Sequence, residues 1–486
     1  MIVTIDGETN RNYVENLCMI FFPGSKFAQN EQPTESTPRL HLSVRESDGE
    51  IRATACMTLG ESVGTGSGAR SVNTYMANKK AVGEAVLAAG RELCGYQPAW
   101  GFLTGIRPAK IAAGMLDEGL DEAAVRRRLR GDYHLIPKKA ALLTAVAANE
   151  RAIISSIGQR SCSVYISIPF CPTRCAYCSF VSYSTKRLLS LIPDYLVRLR
   201  EEIRETFDLI RELGMTVITV YVGGGTPTTL TADELDMLLS TIEEKCDTSA
   251  LYEFTVEAGR PDTVNAEKMR ILLNHGVTRV SINPQTLNDK VLDRIGRKHT
   301  AEDFYRAYDI ARSSGVKYIN TDLIAGLPGE GFRSFSKSVD AVLALRPDNI
   351  TYHTFCVKKA ADIVKTDADI YSRSGGETMK SVDYTQLRSK AAGYIPYYIY
   401  RQKNIVGNLE NVGYSLPGAE GLYNIFIMEE VHSIFACGAG AATKMVAGGK
   451  ISRAFMPKYP YEYLAMNEEA IESHYGKIRK FFEENG

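Results

Sequence analysis

Three cysteines fall within eight residues, Cys171-Pro-Thr-Arg-Cys175-Ala-Tyr-Cys178, a C-x3-C-x2-C run. Thiolates are the ligands of iron–sulfur clusters, and a cubane normally takes four from the protein. This loop offers three with no fourth nearby, so one iron of a [4Fe-4S] cluster would keep an open position for a substrate or cofactor. Structural zinc competes, but it favours four ligands in paired spacings, and no second pair follows. Inert thiols are the third reading. The other seven cysteines (Cys18, Cys56, Cys94, Cys162, Cys246, Cys356 and Cys437) stand singly and read as buried apolar thiols.

A second element is Gly223-Gly-Gly-Thr-Pro-Thr228. Glycines let a backbone approach a ligand and reach φ > 0 without Cβ strain; a tight βα turn needs the same freedom. Both elements follow β-type runs in a repeating pattern. The runs are Val164–Ile168, Val217–Val222, Tyr252–Glu257, Thr278–Asn283, Tyr318–Ile324 and Asn349–Thr354. Helical stretches separate them: Ile192–Leu213, Asp233–Lys245, Ala266–His275, Asp289–Ile295 with Ala301–Ser314, and Ser334–Leu345. Such alternation means right-handed βαβ units and a parallel sheet, and the apolar runs suit a sheet buried on both faces. The pattern fits an α/β fold, a partial (β/α) barrel, with an open doubly wound sheet as the alternative. Barrels build sites at the C-terminal ends of their strands. There the sequence places the cysteine loop, the glycine loop, Glu257, Asn283, Gln285 and Asp322, with Arg297 in a connection.

The flanks differ. In residues 1–150, Leu17–Phe22, Arg39–Glu46 and Ile51–Leu59 read as strands, the last two joined at Asp48-Gly49. Glu61–Ser71, rich in Gly and Ser, reads as a loop; Asn73–Cys94, Ile111–Leu116 and Asp121–Leu129 read as helices. Beyond about residue 375, Tyr394–Gln402 carries four tyrosines, Ile425–Glu430 and Val431–Ala436 read as a strand pair, and Tyr461–Glu484 as a helix. The expected division is an N-terminal α+β domain (1–150), the barrel (160–375) and a C-terminal α+β extension (376–486).

Lys plus Arg and Asp plus Glu both number 57 in 486 residues. Zero formal charge argues against coating nucleic acid or an acidic membrane. No run approaches the roughly 18 apolar residues of a membrane span, and no signal-peptide pattern opens the chain, so a cytoplasmic protein is expected. The arginines of Arg126–Arg130 read as a solvated face, Trp100 as packing, and the histidines, His432 included, as structural.

Tyr165-Ile-Ser-Ile-Pro-Phe-Cys171, the cysteine loop, Gly223–Thr228, Val280-Ser-Ile-Asn-Pro-Gln285, Ile295-Gly-Arg-Lys-His-Thr300 and Asp322-Leu-Ile-Ala-Gly-Leu-Pro-Gly329 occur in that order. Together they resemble the radical S-adenosylmethionine (SAM) family of oxygen-independent coproporphyrinogen III oxidases, the HemN/HemW group. Leu103–Lys110, Thr255-Val-Glu-Ala-Gly-Arg-Pro-Asp262, Tyr400-Arg-Gln-Lys-Asn404 and Asn411-Val-Gly-Tyr414 are similar to its HemZ branch. The resemblance implies a partial (β/α)6 barrel in which Cys171, Cys175 and Cys178 hold a [4Fe-4S] cluster whose open iron takes the amino and carboxylate groups of SAM. It places Tyr165 and Tyr177 along the SAM pocket, and Gly224, Gly225 and Thr226 at its amino end. Arg297 pairs with its carboxylate, Glu257, Gln285 and Asp322 hold the ribose and nearby polar groups, and Cys356 sits beside the adenine. The implied activity is oxidative decarboxylation of coproporphyrinogen III propionates to vinyls, giving protoporphyrinogen IX in haem biosynthesis, with an electron donor such as flavodoxin or ferredoxin.

Two positions depart from the founding oxidases: Phe180 stands where they carry a fourth cysteine, and Ser167 where they carry His. HemW-type relatives also lack that cysteine and are similar to haem chaperones. A haem chaperone, an enzyme acting on another tetrapyrrole, and a zinc-stabilised interaction protein therefore stand beside the oxidase reading. Arg401 and Lys403, with Arg107 or Lys110, are candidate propionate-binding cations.

Overall fold

The computed structural model describes residues 1–27, 34–178, 182–356 and 375–486. The smaller of its two sheets holds β1 (Ile2–Asp6), β2 (Arg39–Ser47), β3 (Glu50–Leu59) and β4 (Ser62–Ser71) in that spatial order. Asp48 and Gly49 join β2 to β3 with φ of 52° and 74°, the two positive values a tight hairpin turn needs.

Two N-terminal expectations are corrected. The Gly/Ser-rich stretch read as a loop is β4. A Cβ on Gly64, Gly66 or Gly68 would lie 2.2, 2.2 or 2.3 Å from the carbonyl oxygens of Ala89, Ala85 and Ala81. These alternate glycines let the helix Ala77–Cys94 lie directly on the strand, so a loop-like composition here marks close packing. Leu17–Phe22, read as a strand, ends the helix Arg11–Phe21. Asn10 caps that helix by accepting from the Tyr13 N–H, and Val14, Leu17, Cys18 and Phe21 form its buried face at helical spacing. The helix Pro137–Ile154, opened by proline at its first position, was not anticipated.

The larger sheet has eleven strands. Six are parallel neighbours in chain order: β5 (Ser161–Ile168), β6 (Thr216–Gly224), β7 (Glu253–Glu257), β8 (Arg279–Ser281), β9 (Tyr318–Ala325) and β10 (Asn349–Thr354). Helices 192–212, 232–243, 266–274, 301–314 and 332–344 make the crossovers. This is the expected partial (β/α)6 barrel, open rather than closed. The C-terminal segment extends both sides. β11 (Ile395–Tyr400) and β12 (Asn411–Ser415) add antiparallel strands beyond β10. β13 (Ser433–Cys437) runs parallel to β5, and β14 (Ala442–Ala447) and β15 (Lys450–Phe455) follow antiparallel. Ile425–Glu430, expected to pair as a strand, lies mostly in the helix Leu422–Glu429. The first N–H groups of that helix, on Leu422 and Tyr423, donate to the Glu253 carboxylate at 2.8 and 3.3 Å, an anion where the helix dipole favours one.

The barrel strands are buried on both faces, as expected, but only one face is apolar. Val164, Ile166, Val220, Val222, Phe254, Val256, Val280, Ile319, Leu323 and Ile350 are buried on the side that the crossover helices cover. The alternate residues are polar and bond across strands: Ser163 to Thr219 at 2.6 Å, Arg279 to Glu253 at 3.2 Å, and Asn320 to Ser281 at 3.5 Å and to Thr351 at 3.4 Å. Among the described residues no helix is long and apolar enough to cross a membrane.

The β4 seam gives a direct test. Gly66→Ala should destabilise the protein by about 1–3 kcal/mol, the usual penalty of overpacking, read as a lower urea midpoint. Gly131→Ala, on the exposed side of helix Glu122–Tyr133 with nothing within 4 Å, should instead stabilise by up to about 1 kcal/mol.

Candidate active site

The cysteine loop leaves β5 at Ile168 and is anchored by backbone bonds. Cys171 N–H donates to the Tyr183 carbonyl at 3.0 Å, and Tyr183 N–H returns to Pro169 at 2.8 Å. Ala176 N–H donates to Ile295 at 2.9 Å, fastening the loop to the connection that carries Arg297. The glycine loop after β6 is fastened to it as well: Gly225 N–H donates to Ile168 and Thr226 N–H to Phe170, both at 2.8 Å. A Cβ on Gly225 would lie 2.5 Å from the Phe170 oxygen, and Gly224 has φ +109°. Both positions require glycine. The Thr226 hydroxyl sits 3.4 Å from the Cys171 sulfur.

The three thiols share one region. Burial pushes the Cys171 thiol up, and the neighbouring charges of Cys178 and Cys175 add to that, opposed by Thr226 and Ser182. No group of three or more His, Cys, Asp or Glu side chains among the described residues converges on a single-ion site. A cubane asks for no such convergence, because each thiolate binds a different iron.

At the ends of the neighbouring strands, Tyr221 donates to Glu257 at 2.5 Å. Burial is the largest cause lifting the Glu257 carboxyl to about 7, with Asp322 also raising it and Tyr221 opposing. Asp322 accepts from Asn320 at 2.8 Å, faces His353 at 3.6 Å, and its N–H donates to Asn283 at 3.1 Å. Gln285 has φ +67°, a strained value for a residue with a side chain. Its N–H and C=O hold it there by bonding to Asp322 and Ile324 at 3.0 and 2.9 Å. The buried Arg297 donates to the Tyr177 hydroxyl at 2.9 Å and to the Gly259 carbonyl at 2.5 Å. Below this mouth the rings of Tyr165, Tyr221 and Tyr423 stack, the closest pair 4.4 Å apart at their centroids.

The buried Nε of Arg297 and Oε1 of Gln285 have no hydrogen-bond partner within the protein. Buried polar groups are rarely left so. One donor and one acceptor fit a ligand bearing both a carboxylate and hydroxyl or amino groups, as SAM does. The three-thiol loop beside them fits a cluster with one open iron.

Arg260 was not singled out from the sequence. It is buried and donates to Thr173 within the cysteine loop; only its place in the 255–262 motif signalled it. His299 lies among these cations and stays neutral, its pKa lowered to about 3 by burial first and then by Arg297 and Arg260. Cys356 donates to the Lys403 carbonyl at 3.0 Å and pairs with Ile405, joining β10 to the 403–405 turn. Phe180 lies outside the described residues.

The candidate propionate cations have partners within the protein. Arg401 is buried, donates to Leu103 and Asn408, and lies 5.0 Å from the Trp100 ring. Arg107 and Lys110 both pair with Glu430. Lys403 reaches Asn12 at 3.4 Å. His432 is buried and bonded to Ser163 at 2.8 Å, a structural contact as expected.

Residues 165–342 match the radical SAM superfamily, the class that this open barrel and its three-cysteine loop define; its members bind a [4Fe-4S] cluster and SAM. The chain is 38% identical over 394 residues to the oxygen-independent coproporphyrinogen-III oxidase-like protein HemZ of Bacillus subtilis (strain 168), covering 80% of this chain and 79% of that protein. It is 36% identical over 198 residues to the heme chaperone HemW of the same organism, covering 40% of this chain and 51% of that protein. Its fold is similar to that of the coproporphyrinogen III oxidase HemN of Escherichia coli, a radical SAM enzyme, with a TM-score of 0.52 at 23% identity, covering 68% of this chain and 73% of that one. The chain belongs to the oxygen-independent coproporphyrinogen-III oxidase-like family within the radical SAM superfamily.

The Glu257 environment sets a pH dependence. Between about pH 4.5 and 7 the folded protein keeps a proton that the unfolded chain releases, so stability falls as pH rises through that window. Glu257→Gln should reduce this slope by up to about 1.4 kcal/mol per pH unit, measured from urea midpoints of the metal-free protein at pH 5 and 7. The slope should not vanish, because burial also lifts Glu202 and Glu330 to about 7.

Proposed function

We propose that this chain is a radical SAM oxidoreductase that decarboxylates the propionate side chains of coproporphyrinogen III to vinyl groups, yielding protoporphyrinogen IX. One observation carries the reading: a three-cysteine loop is seamed to a glycine loop at the C-terminal mouth of a polar barrel. The likeness to HemZ over most of both chains supports the tetrapyrrole substrate. Cys171, Cys175 and Cys178 are the cluster ligands. When bound, the cluster and SAM supply a carbon-centred radical that takes a hydrogen atom from the substrate.

The chain's own residues position that chemistry. Arg297 offers its unpaired N–H to a carboxylate, a charge-assisted contact suited to a guanidinium. Gln285, Glu257 and Asp322 supply acceptors for hydroxyl and ammonium groups, and Gly224, Gly225 and Thr226 let a ligand's amino end approach the backbone. Tyr165 and Tyr177 form walls, and the stacked tyrosines exclude water from below. The electron comes from a donor such as flavodoxin or ferredoxin.

A haem chaperone on the same scaffold is the second reading, favoured by the likeness to HemW. Anaerobically reconstituted, reduced protein given SAM and coproporphyrinogen III separates the two by mass spectrometry. 5′-Deoxyadenosine with protoporphyrinogen IX is the expected result. Deoxyadenosine without decarboxylation would keep a radical enzyme but point to another tetrapyrrole. Neither product, with tight haem binding, would favour the chaperone. Cys175→Ala should abolish uptake of iron and sulfide, whereas Arg297→Lys should keep the iron and weaken SAM binding about tenfold, the scale of one charged hydrogen bond.

A further inference from the structure

Arg260 joins three groups beneath the cysteine loop. It follows β7 and is 3% exposed. One terminal nitrogen donates to Thr173 Oγ1 at 2.8 Å and lies 3.9 Å from Cys175 Sγ. Its Nε and other terminal nitrogen fork onto Asp262 at 2.9 and 3.0 Å. That fork fixes the guanidinium plane, so the remaining edge faces Thr173 and the sulfur. A lysine ammonium has no such rigid geometry. The Asp262 side chain is 29% exposed, so water screens part of its charge, while the buried guanidinium is screened much less. Arg297 bonds to Tyr177 and Gly259 and also lies within the electrostatic reach of Cys175. The sulfur of Cys175 therefore lies beside a buried guanidinium held at fixed orientation.

We propose that Arg260 is a positioning residue that makes a cluster on Cys175 easier to reduce, by directing an N–H and a buried positive charge at that ligand. The proposal rests on the assignment of Cys175 as a cluster ligand. Hydrogen bonds to the sulfurs and local charge are the levers that set cluster potentials. Reduction adds one negative charge to the cluster, which a nearby cation stabilises.

The test is an anaerobic redox titration of the reconstituted full-length chain, followed by electron paramagnetic resonance, with iron and sulfide measured on each sample. Arg260→Gln should load iron and show a midpoint lower by about 59 mV, a tenfold loss in the one-electron reduction equilibrium. Asp262→Asn removes the opposing charge and should move the midpoint the other way. A purely structural role gives no such pair of opposite shifts. Loaded variants that both titrate like the wild type would overturn the role of Arg260. Wild-type protein that takes up neither iron nor sulfide would instead overturn the cluster assignment. If Arg260→Gln fails to fold, Asp262→Asn decides alone, and a midpoint that does not rise refutes the proposal.

Discussion

Gly225 and Thr226 donate backbone hydrogen bonds to Ile168 and Phe170, and the mouth of the barrel is organised around that seam. Two loops from adjacent strands can close on each other only where no side chain intervenes, and a Cβ at Gly225 would collide with the Phe170 carbonyl. With the seam in place, Cys171 lies against Thr226, and the loop turns over to meet Ile295. The connection that carries Arg297 is thereby set against Tyr177. Each later contact presupposes the earlier one, because backbone geometry fixes where the side chains begin.

The polar lining of the barrel depends on a second constraint. Residues on alternate strand positions face an interior that contains Glu253, Arg279 and Asn349 at one end and Glu257, Asp322 and His353 at the other. Buried charge is costly unless paired. At the lower end Arg279 meets Glu253 and Asn349 and donates to the carbonyls of Ala419 and Glu420 at 3.0 Å. The C-terminal segment thus supplies the floor, and the same contact brings Tyr423 under Tyr221. At the upper end the unmet donors and acceptors collect instead, as expected of a ligand site.

The barrel was legible because the βαβ unit is a local pattern repeated five times, and the place of the three cysteines because their loop follows the first strand directly. Other features depended on contacts far apart in sequence. β4 reads as a loop because its alternate glycines make sense only against Ala81, Ala85 and Ala89. The helix 422–429 is apolar and short, and its type is decided by Glu253 some 170 residues earlier. Arg260 carries no spacing signal relative to Cys175, which lies 85 residues away. The same limit applies to Arg401, whose motif suggested a ligand contact although Leu103 and Trp100 hold it.

β5, which bears the cysteine loop, pairs with β6 on one side and with β13 on the other. Its second partner, residues 433–437, follows it by some 270 residues. During synthesis, strand β5 therefore remains an unprotected edge until residues 433–437 have emerged, with the hazard of wrong pairing that open edges carry. The base of the cysteine loop therefore reaches its final surroundings only after residues 433–437 are made. A chain cut short before residue 433 would leave the strand beneath the three thiols without its second partner.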